Sequence, residues 1–256
     1  MPGFYATIAR YYDAEHQDKT DDLDLYSDLA AEYGEPILEV ACGTGRVMLR
    51  LARAGFQVHG IDQEPAMLDR ARHKARSLPE DAQDRLHFHQ ADVLKFETDL
   101  RFRLVLVPYN GLLHFLDQDD QLALLRRLRR WTQNDGLLVL DLVNPGDAFG
   151  AQDTDALLLE KTFIEPETGH LVMQHSVSGL DRTEQLLRVT WIYDEVTGDG
   201  TVKRTFAPVV FRYIFYYELR LLLRLAGFAV ESVYGGTEFE PYEDGCERMI
   251  VFAKPV

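Results

Sequence analysis

Two glycines near the start of the chain mark the first place in the sequence that is equipped to bind a ligand. Gly43 and Gly45 lie in the loop Ala41–Gly45, between the apolar run Ile37–Val40 and an amphipathic segment, Val47–Ala54. This order predicts a strand, a tight loop and a helix. Glycine lacks a Cβ, so a ligand can approach the main chain of the loop, and the free N–H groups of the helix point towards it. We therefore predict a nucleotide-binding element.

An acid downstream supplies the partner of that loop. Asp62 ends a second predicted strand, Phe56–Asp62. It follows the loop by about twenty residues, the spacing at which a carboxylate holds both hydroxyls of an adenosine ribose. Gly55 fits the end of the intervening helix and Pro65 fits the first turn of the next one. The pattern therefore predicts that Asp62 binds a ribose.

The glycine pattern separates the nucleotides that such a loop binds. A dinucleotide fold needs a third glycine where the helix meets the strand, and that position, three residues past Gly45, is Met48. A triphosphate-binding loop needs Gly-Lys-Ser/Thr, whereas Arg46 follows Gly45. Both differences count against NAD and against nucleoside triphosphates.

Two motifs together resemble a known family. The stretch Leu38–Gly45, followed by Gly60–Leu68, looks like the class I S-adenosylmethionine-dependent methyltransferases. Within them it is most similar to the small-molecule branch that includes glycine N-methyltransferase and the deoxyaminosugar N,N-dimethyltransferases. The resemblance covers Ile37–Pro145 well and the remainder by topology only. It departs at Ala41, where the family often has glycine.

The resemblance implies S-adenosylmethionine as cofactor and assigns roles along the chain. Asp92, which ends the third predicted strand, accepts a hydrogen bond from the adenine amino group, and Tyr11 or Tyr12 closes over the cofactor, with packing of the cap on the core as an equal alternative for these tyrosines. Independently of the resemblance, the charge of Arg46 suits a cofactor carboxylate, and a solvated arginine at the start of the helix is the alternative. The full predicted cofactor-binding set is Tyr11, Tyr12, Glu39, Ala41, Cys42, Gly43, Gly45, Arg46, Asp62, Gln63, Met67, Ala91, Asp92, Val93 and Pro108.

A second informative segment follows the fourth predicted strand, Phe102–Val107. Pro108–His114 resembles a motif of the same branch, and it lies where α/β folds carry their chemistry. The resemblance implies that Tyr109 and Asn110 contact the sulfonium end and that His114 assists the acceptor. Packing under the loop is an equal alternative for His114. We take Tyr109, Asn110 and His114 as the predicted catalytic residues.

Composition restricts the partners. The 256 residues carry a formal net charge of −15, which disfavours DNA and RNA as substrates because phosphate backbones are repelled. The two cysteines, Cys42 and Cys246, have no metal-ligand spacing, so no metal is expected. The sequence has no apolar run that would span a membrane and no signal-like beginning, so we expect no membrane partner and a cytoplasmic location.

The predicted fold is α/β: a Rossmann-like, seven-stranded, mostly parallel sheet with helices on both faces. Residues 1–34 read as an N-terminal helical cap that begins with a helix over Ala6–Ala14. Residues 35–156 and 216–256 read as the cofactor-binding core, whose fifth strand begins at Leu137. Residues 157–215 change to short β-branched and aromatic runs with hairpin turns at Glu167–Gly169 and Thr197–Gly200, which predicts an antiparallel insertion.

The insertion has two open interpretations. Its aromatic residues suit a lid over a small, amine-bearing acceptor beside Pro108–His114, and they suit a dimer sheet equally well. The aromatic residues are Trp191, Tyr193, Phe206, Phe211, Tyr213 and Phe215. Two other functions also stay open at this point: an NAD-type Rossmann oxidoreductase, and a non-catalytic S-adenosylmethionine-binding protein. The favoured function is transfer of a methyl group to a nitrogen or oxygen of a small molecule.

The cofactor prediction can be tested directly. We expect the protein to bind S-adenosylmethionine and its demethylated product, S-adenosylhomocysteine, and not NAD, because the loop lacks the third glycine that seats a pyrophosphate. Isothermal titration calorimetry with each ligand measures this. Heat from NAD, with no response to either sulfur nucleoside, would refute the prediction.

Overall fold

The computed structural model describes residues 3–146 and 154–256. The helices are α1 Phe4–Glu15, α2 Leu23–Tyr33, α3 Arg46–Arg53, α4 Pro65–Ala75, α5 Glu80–Gln83, α6 Gln118–Trp131 and α7 Tyr216–Ala226, with a short 3-10 turn at Gly111–His114. The strands are β1 Ile37–Val40, β2 Val58–Asp62, β3 Leu86–Gln90, β4 Phe102–Val107, β5 Thr132–Val143, β6 Thr154–Ile164, β7 Leu171–Asp181, β8 Leu186–Val196, β9 Val202–Arg212, β10 Phe228–Tyr234 and β11 Arg248–Pro255.

The main sheet has seven strands in the order β10-β11-β5-β4-β1-β2-β3. The pairs from β5 to β3 are parallel, whereas β11 runs antiparallel to both β10 and β5. The last two strands therefore form a hairpin at the sheet edge. The predicted fold class is confirmed.

Side chains of the central strands alternate between two apolar layers. Leu38 and Val40 of β1 join the cluster that contains α6 and α7, whereas Ile37 points to the opposite cluster with α2 and α3. The residues of β4 divide in the same way, because successive side chains of a strand face opposite sides of the sheet. Helices thus cover both faces, which explains the nearly continuous apolar sequence of these strands.

The strand order places the ends of β1 and β4 side by side. After β1 the chain continues to its neighbour β2, and after β4 it continues to β5, in the opposite direction along the sheet. A crevice therefore opens above the carboxyl ends of β1 and β4. The two loops touch there, since a Cβ on Gly111 would lie 3.5 Å from the Cβ of Ala41. Both segments that the sequence marks for chemistry therefore meet at one place.

The predicted insertion forms a separate antiparallel sheet in the order β6-β7-β8-β9. Both predicted hairpin turns are present: the N–H of Gly169 donates to the Glu165 carbonyl over 2.8 Å, and that of Gly200 donates to the Thr197 carbonyl over 2.9 Å. One face of this sheet packs on α1 through a shared apolar cluster, whose buried members are Ile8, Tyr11, Ala14, Phe163, Val172, Tyr193 and Ala207.

Several boundaries differ from the sequence prediction, among them the start of β2, at Val58 instead of Phe56. Helix α1 begins at Phe4 rather than Ala6, so it also carries Tyr5. Strand β5 begins at Thr132, five residues before the predicted Leu137, because Thr132 already pairs with Phe102 of β4. The division of the chain into cap, core and insertion stays a prediction, and its residues 1–2 and 147–153 lie outside the described residues.

Close packing behind the crevice leaves no room for a side chain at Gly60 of β2. A Cβ there would lie 2.6 Å from Met48 Sδ and 2.8 Å from Cys42 Sγ. We expect Gly60→Ala to lower the free energy of unfolding by about 1–3 kcal/mol, the usual cost of overpacking a core. Gly179→Ala in β7, where nothing lies within 4 Å, is the matched control. Equal urea midpoints for the two variants would contradict this close approach.

Candidate active site

The loop after β1 turns sharply and is fixed to β2. Ala41, Gly43 and Gly45 all have positive φ angles, of 56°, 56° and 81°. The N–H of Cys42 donates to the carbonyl of Ile61 over 3.1 Å, and the N–H of Gly45 donates to the carbonyl of Cys42 over 2.8 Å. These left-handed angles explain the glycines, and they bring the loop's main chain to the wall of the crevice.

Asp62 joins the loop to the end of β2. One of its carboxylate oxygens accepts from the N–H of Gly43 at 2.8 Å, and the other accepts from the N–H of Glu64 at 2.9 Å. Burial raises the pKa of this carboxyl above its ordinary value, although the two backbone donors act to lower it. The carboxylate is therefore held rigidly at the crevice, where it is available to a further donor.

Glu39 is the most unusual polar group of the site. It is 2% exposed, and its Oε2 atom is buried without a hydrogen-bond partner. Burial raises the pKa of its carboxyl to about 8. A buried polar atom without a partner is costly, and a cationic or N–H-bearing ligand group would satisfy it. Because Glu39 lines the crevice, the site fits a ligand with a positive charge at this end.

The loop after β4 takes its shape from β5. Tyr109 and Asn110 have positive φ angles, of 44° and 69°, which are uncommon for residues with side chains. Asp141 of β5 holds them: its carboxylate accepts from the N–H of Tyr109 at 3.3 Å, and its carbonyl accepts from the N–H of Asn110 at 2.8 Å. Arg248 forms an ion pair with the same carboxylate, and the hydroxyl of Tyr26 donates to it over 3.2 Å.

Helix α1 roofs the crevice with two tyrosines. The Tyr5 hydroxyl lies 2.8 Å from His114 Nε2, and the rings of Tyr5 and Tyr12 are 6.1 Å apart. The ring of Tyr12 stacks on His16 at 4.3 Å, and His16 meets the ring of Tyr109 edge-on at 5.5 Å. Burial raises the pKa of both Tyr5 and Tyr12, so their phenol groups stay neutral.

His114 is neutral at physiological pH. Burial lowers the pKa of its imidazole to about 4. Its ring also contacts Phe211 of β9 at a centroid distance of 5.0 Å. Such an imidazole can orient the Tyr5 hydroxyl by a hydrogen bond, but it is too weak a base to hold a proton taken from a substrate.

The crevice consists of two adjoining cavities, of about 70 and 300 Å³. The smaller cavity is lined by the predicted residues Tyr12, Glu39, Ala41, Cys42, Gly43, Arg46, Asp62, Met67, Pro108, Tyr109 and His114. The larger one is lined by the predicted residues Ala41, Asp62, Gln63, Ala91, Asp92, Val93 and His114. Most of the predicted set therefore comes together around one space.

Three predicted residues lie outside both cavities. Tyr11 points to the insertion, where its ring stacks on Tyr193 at 4.8 Å, so Tyr12 and not Tyr11 is the roof residue. Asn110 turns away from the predicted sulfonium end, because its side-chain oxygen accepts from the N–H of Val143 at 2.6 Å. Gly45 lines neither cavity; it shapes the loop, because its left-handed backbone makes the turn at the start of α3.

Arg46 lines the smaller cavity but already has a partner. Its guanidinium forms a two-pronged ion pair with the fully buried Asp22, and one of the two contacts is 2.7 Å long. It also donates to the carbonyl of Lys19 over 3.1 Å. The pair fixes the start of α2 against α3. Its predicted role towards a cofactor carboxylate stays a prediction.

Several residues of the site are absent from the set predicted by sequence. Tyr5 is the most important, and its signal was present, because Tyr5 and Tyr12 are seven residues apart and so share a face of α1. Phe115 and Val209 line the larger cavity, and Val209 belongs to the insertion. Asp141 is an acid within a buried apolar strand, a pattern that itself indicates a special partner.

Over residues 3–146 and 154–256, three or more His, Cys, Asp or Glu side chains nowhere gather in a way that would hold a metal ion. Within the same ranges, each helix is too short or too polar to cross a membrane.

A family model described as a methyltransferase domain matches residues 37–136. This segment is a methyltransferase domain. It contains both loops of the crevice together with Glu39, Asp62 and Asp92. The predicted resemblance to S-adenosylmethionine-dependent methyltransferases is therefore confirmed.

Curated relatives and a solved structure agree with this methyltransferase domain. The chain is 26% identical over 220 residues to the cypemycin N-terminal methyltransferase of a Streptomyces species, covering 85% of this chain and 82% of the relative. It is 30% identical over 141 residues to the dTDP-3-amino-3,6-dideoxy-alpha-D-glucopyranose N,N-dimethyltransferase of Streptomyces fradiae, covering 52% of each chain. The CcbJ methyltransferase of Streptomyces caelestis has the same fold, with a TM-score of 0.80 and 24% identity over 99% of this chain and 98% of that one.

Coverage differs among these relatives. The chain spans about half the length, or less, of the curated relatives that it matches first. The methyltransferase domain and the fold are thus the shared features.

Neutral His114 makes the stability of the domain depend on pH. Its folded-state pKa of about 4 lies below the ordinary value of 6.5, so the unfolded chain binds more protons between these values. The stabilising contribution is present above pH 6.5 and is lost as the pH falls towards 4. We expect the free energy of unfolding, from urea titrations, to fall more steeply over this window for the wild type than for His114→Gln. Parallel profiles would show that the folded imidazole titrates normally.

Proposed function

We propose that this protein is an S-adenosylmethionine-dependent methyltransferase that acts on a nitrogen of a small molecule. The observation that carries the proposal is that one crevice contains both Glu39, whose buried Oε2 atom has no hydrogen-bond partner, and a roof of neutral aromatic rings. The match of residues 37–136 to a methyltransferase domain supports the reaction class. The nitrogen preference rests on the chemistry of the side chains around His114.

The residues of the crevice fit the proposed cofactor from one end to the other. Asp92 and its neighbours in the larger cavity would hold the adenine, and Asp62, which lines both cavities, would hold the ribose. Glu39 would accept from the amino group, which gives its buried Oε2 atom a partner. When bound, the cofactor supplies an electrophilic methyl group on a sulfonium.

The aromatic roof suits a positive charge. Tyr5, Tyr12 and Tyr109 line the smaller cavity with faces and edges of neutral rings, and such faces attract cations. The roof also excludes water, which strengthens every electrostatic interaction inside. These side chains would therefore stabilise the positive charge that passes from the methyl donor to the acceptor.

A nitrogen acceptor agrees with the acid–base character of the crevice. A hydroxyl must lose a proton to become a good nucleophile, whereas a neutral amine needs only alignment. His114, with a pKa of about 4, is too weak a base for a hydroxyl. The names of two relatives, an N-terminal methyltransferase and an N,N-dimethyltransferase, point to the same kind of atom.

The acceptor would lie between the insertion and the loop Pro108–His114. Two residues of β9 border this place: Val209 lines the larger cavity, and Phe211 contacts the ring of His114. The roof leaves little space, so a small molecule is favoured over a polymer. The net charge of −15 adds to this preference by repelling nucleic acid. A cytoplasmic location stays a prediction from the sequence.

Tyr5→Phe tests the proposal on turnover. The change removes the hydroxyl that bonds to His114 and leaves the ring in place. We expect kcat for methylation of an amine to fall about fivefold to tenfold, the effect of roughly 1 kcal/mol from one hydrogen bond. Transfer of a labelled methyl group from S-adenosylmethionine to a panel of small amines and alcohols measures this. Calorimetry with S-adenosylhomocysteine checks that binding is retained.

The matched control is Tyr217→Phe, because the Tyr217 side chain is 73% exposed on α7. It should leave kcat unchanged. Labelling of alcohols and not amines would overturn the nitrogen assignment. Binding of S-adenosylhomocysteine with no labelled product from either class would favour a non-catalytic binding protein.

We further propose that the protein is a homodimer. The face of the insertion sheet that points away from α1 carries two cross-strand rows of side chains, Ile164–Leu171–Val196–Val202 and Leu159–His175–Ile192–Phe206. Ile164 and Phe206 are 57% and 58% exposed. A two-fold axis would set these rows against the same rows of a second copy, and a surface of this kind is typical of interfaces.

Phe206→Asp should make the protein monomeric, because it places an unpaired charge on this face, where the acid Asp194 is already paired with Arg204. Size-exclusion chromatography with multi-angle light scattering gives the mass of each species. Phe215→Asp is the control, since Phe215 is 50% exposed but precedes α7 rather than lying on this face. A monomeric wild type at the highest soluble concentration would contradict the homodimer.

A further inference from the structure

Two carboxylates are buried together where the insertion meets the back of α1. Glu165 in the turn after β6 is 0% exposed and Glu195 of β8 is 3% exposed. The hydroxyl of Thr168 donates to Glu165 over 2.7 Å and lies 3.3 Å from Glu195, so the two acids share one donor. Two negative charges that share one donor repel each other unless a cation compensates them.

Arg10 of α1 supplies that cation. Its Nη2 atom lies 3.2 Å from the Glu165 carboxylate and 3.3 Å from the Glu195 carboxylate. His170 Nδ1 lies 2.8 Å from Glu195 on the other side. Burial acts to raise the pKa of both acids, but their hydrogen bonds and Arg10 bring each pKa below its ordinary value. Both groups are therefore ionised at neutral pH, and Arg10 is the residue of α1 that neutralises them.

The next residue of α1 reinforces the same contact. The Tyr11 hydroxyl donates to Glu195 over 3.2 Å, and its ring lies between Tyr193, at 4.8 Å, and the guanidinium of Arg10, at 4.9 Å. One side of the helix is thus fixed to the insertion by charge, hydrogen bonding and stacking. The crevice-lining tyrosines, Tyr5 and Tyr12, project from the other side of the same helix.

We propose that Arg10, Glu165 and Glu195 form a latch that holds α1 closed over the crevice and so sets how long the cofactor product stays bound. This inference rests on the proposed function. Arg10 is a positioning residue in this scheme, because it acts through the placement of Tyr5 and Tyr12. The insertion would then control the roof of the cofactor site in addition to bordering the acceptor.

The chain offers a matched control for the latch. Arg204 pairs with Asp194, the neighbour of Glu195 in β8, over 2.7 and 2.6 Å. Asp194 is 4% exposed, so Arg204→Met, like Arg10→Met, removes a cation from a buried acid. Asp194 points to the opposite face of the sheet, away from α1, as alternation along a strand requires. Only the Arg10 change should affect the roof.

The experiment has two readouts. Hydrogen–deuterium exchange of the free protein reports on residues 4–15, and stopped-flow displacement gives the dissociation rate of S-adenosylhomocysteine. For Arg10→Met we expect exchange in this helix and the dissociation rate each to rise about tenfold, because two buried charges lose their counter-ion. Arg204→Met should match the wild type in both, and Arg10→Lys, which keeps one charge, should fall between. All variants are compared at the same oligomeric state.

The outcomes separate this inference from the proposed function. Failure of the wild type to bind S-adenosylhomocysteine would count against the proposed function, and the exchange of residues 4–15 would still test the latch. Equal behaviour of Arg10→Met and Arg204→Met would overturn the latch while leaving the function intact. If Arg10→Met does not fold, Glu195→Gln, which keeps the side-chain volume, should accelerate exchange and dissociation in the same direction, and wild-type values for it would also overturn the latch.

Discussion

The burial of a carboxyl group that has one oxygen without a hydrogen-bond partner is the constraint on which the crevice depends. Glu39 stands near the end of β1, in the middle of the main sheet, where no water-exposed position is available to it. The strand order that buries it also brings the loops after β1 and β4 into contact. An unsatisfied acid in such a place costs stability, so it is most simply understood as half of an interaction that a cationic ligand completes.

Helix α1 connects this crevice to the rest of the molecule. Its tyrosines cover the ligand space, while Arg10 and Tyr11 bind the insertion sheet. The insertion therefore acts on the site twice, through Phe211 against His114 and through the helix that it supports. The face of the insertion sheet that packs on α1 thus borders the acceptor space and holds the roof in place.

The sequence was sufficient for the parts that depend on local pattern. The apolar run of β1, the glycines of its loop and Asp62 predicted the fold and most of the cavity lining, because strand ends and loop glycines are constrained by short-range geometry. The rotation of α1 was not predictable in the same way: Tyr11 and Tyr12 look alike in sequence, and packing on Tyr193 decides which one faces the crevice. The orientation of the Asn110 side chain was not predictable either, because it depends on the left-handed backbone of its loop and on Val143, a distant residue.

The most direct test of this account is the number of protons released when S-adenosylmethionine binds. With the pKa of Glu39 raised to about 8, the carboxyl is mostly protonated at pH 7, and a cationic ligand beside it should lower that pKa and expel the proton. Calorimetry in buffers of different ionisation enthalpy should therefore give roughly one proton released per site at pH 7, falling towards zero above pH 9 as Glu39 ionises in the free protein. Glu39→Gln should bind more weakly and release none. Equal proton release from the wild type and Glu39→Gln would contradict the assignment of the crevice to a cationic, sulfonium-bearing cofactor.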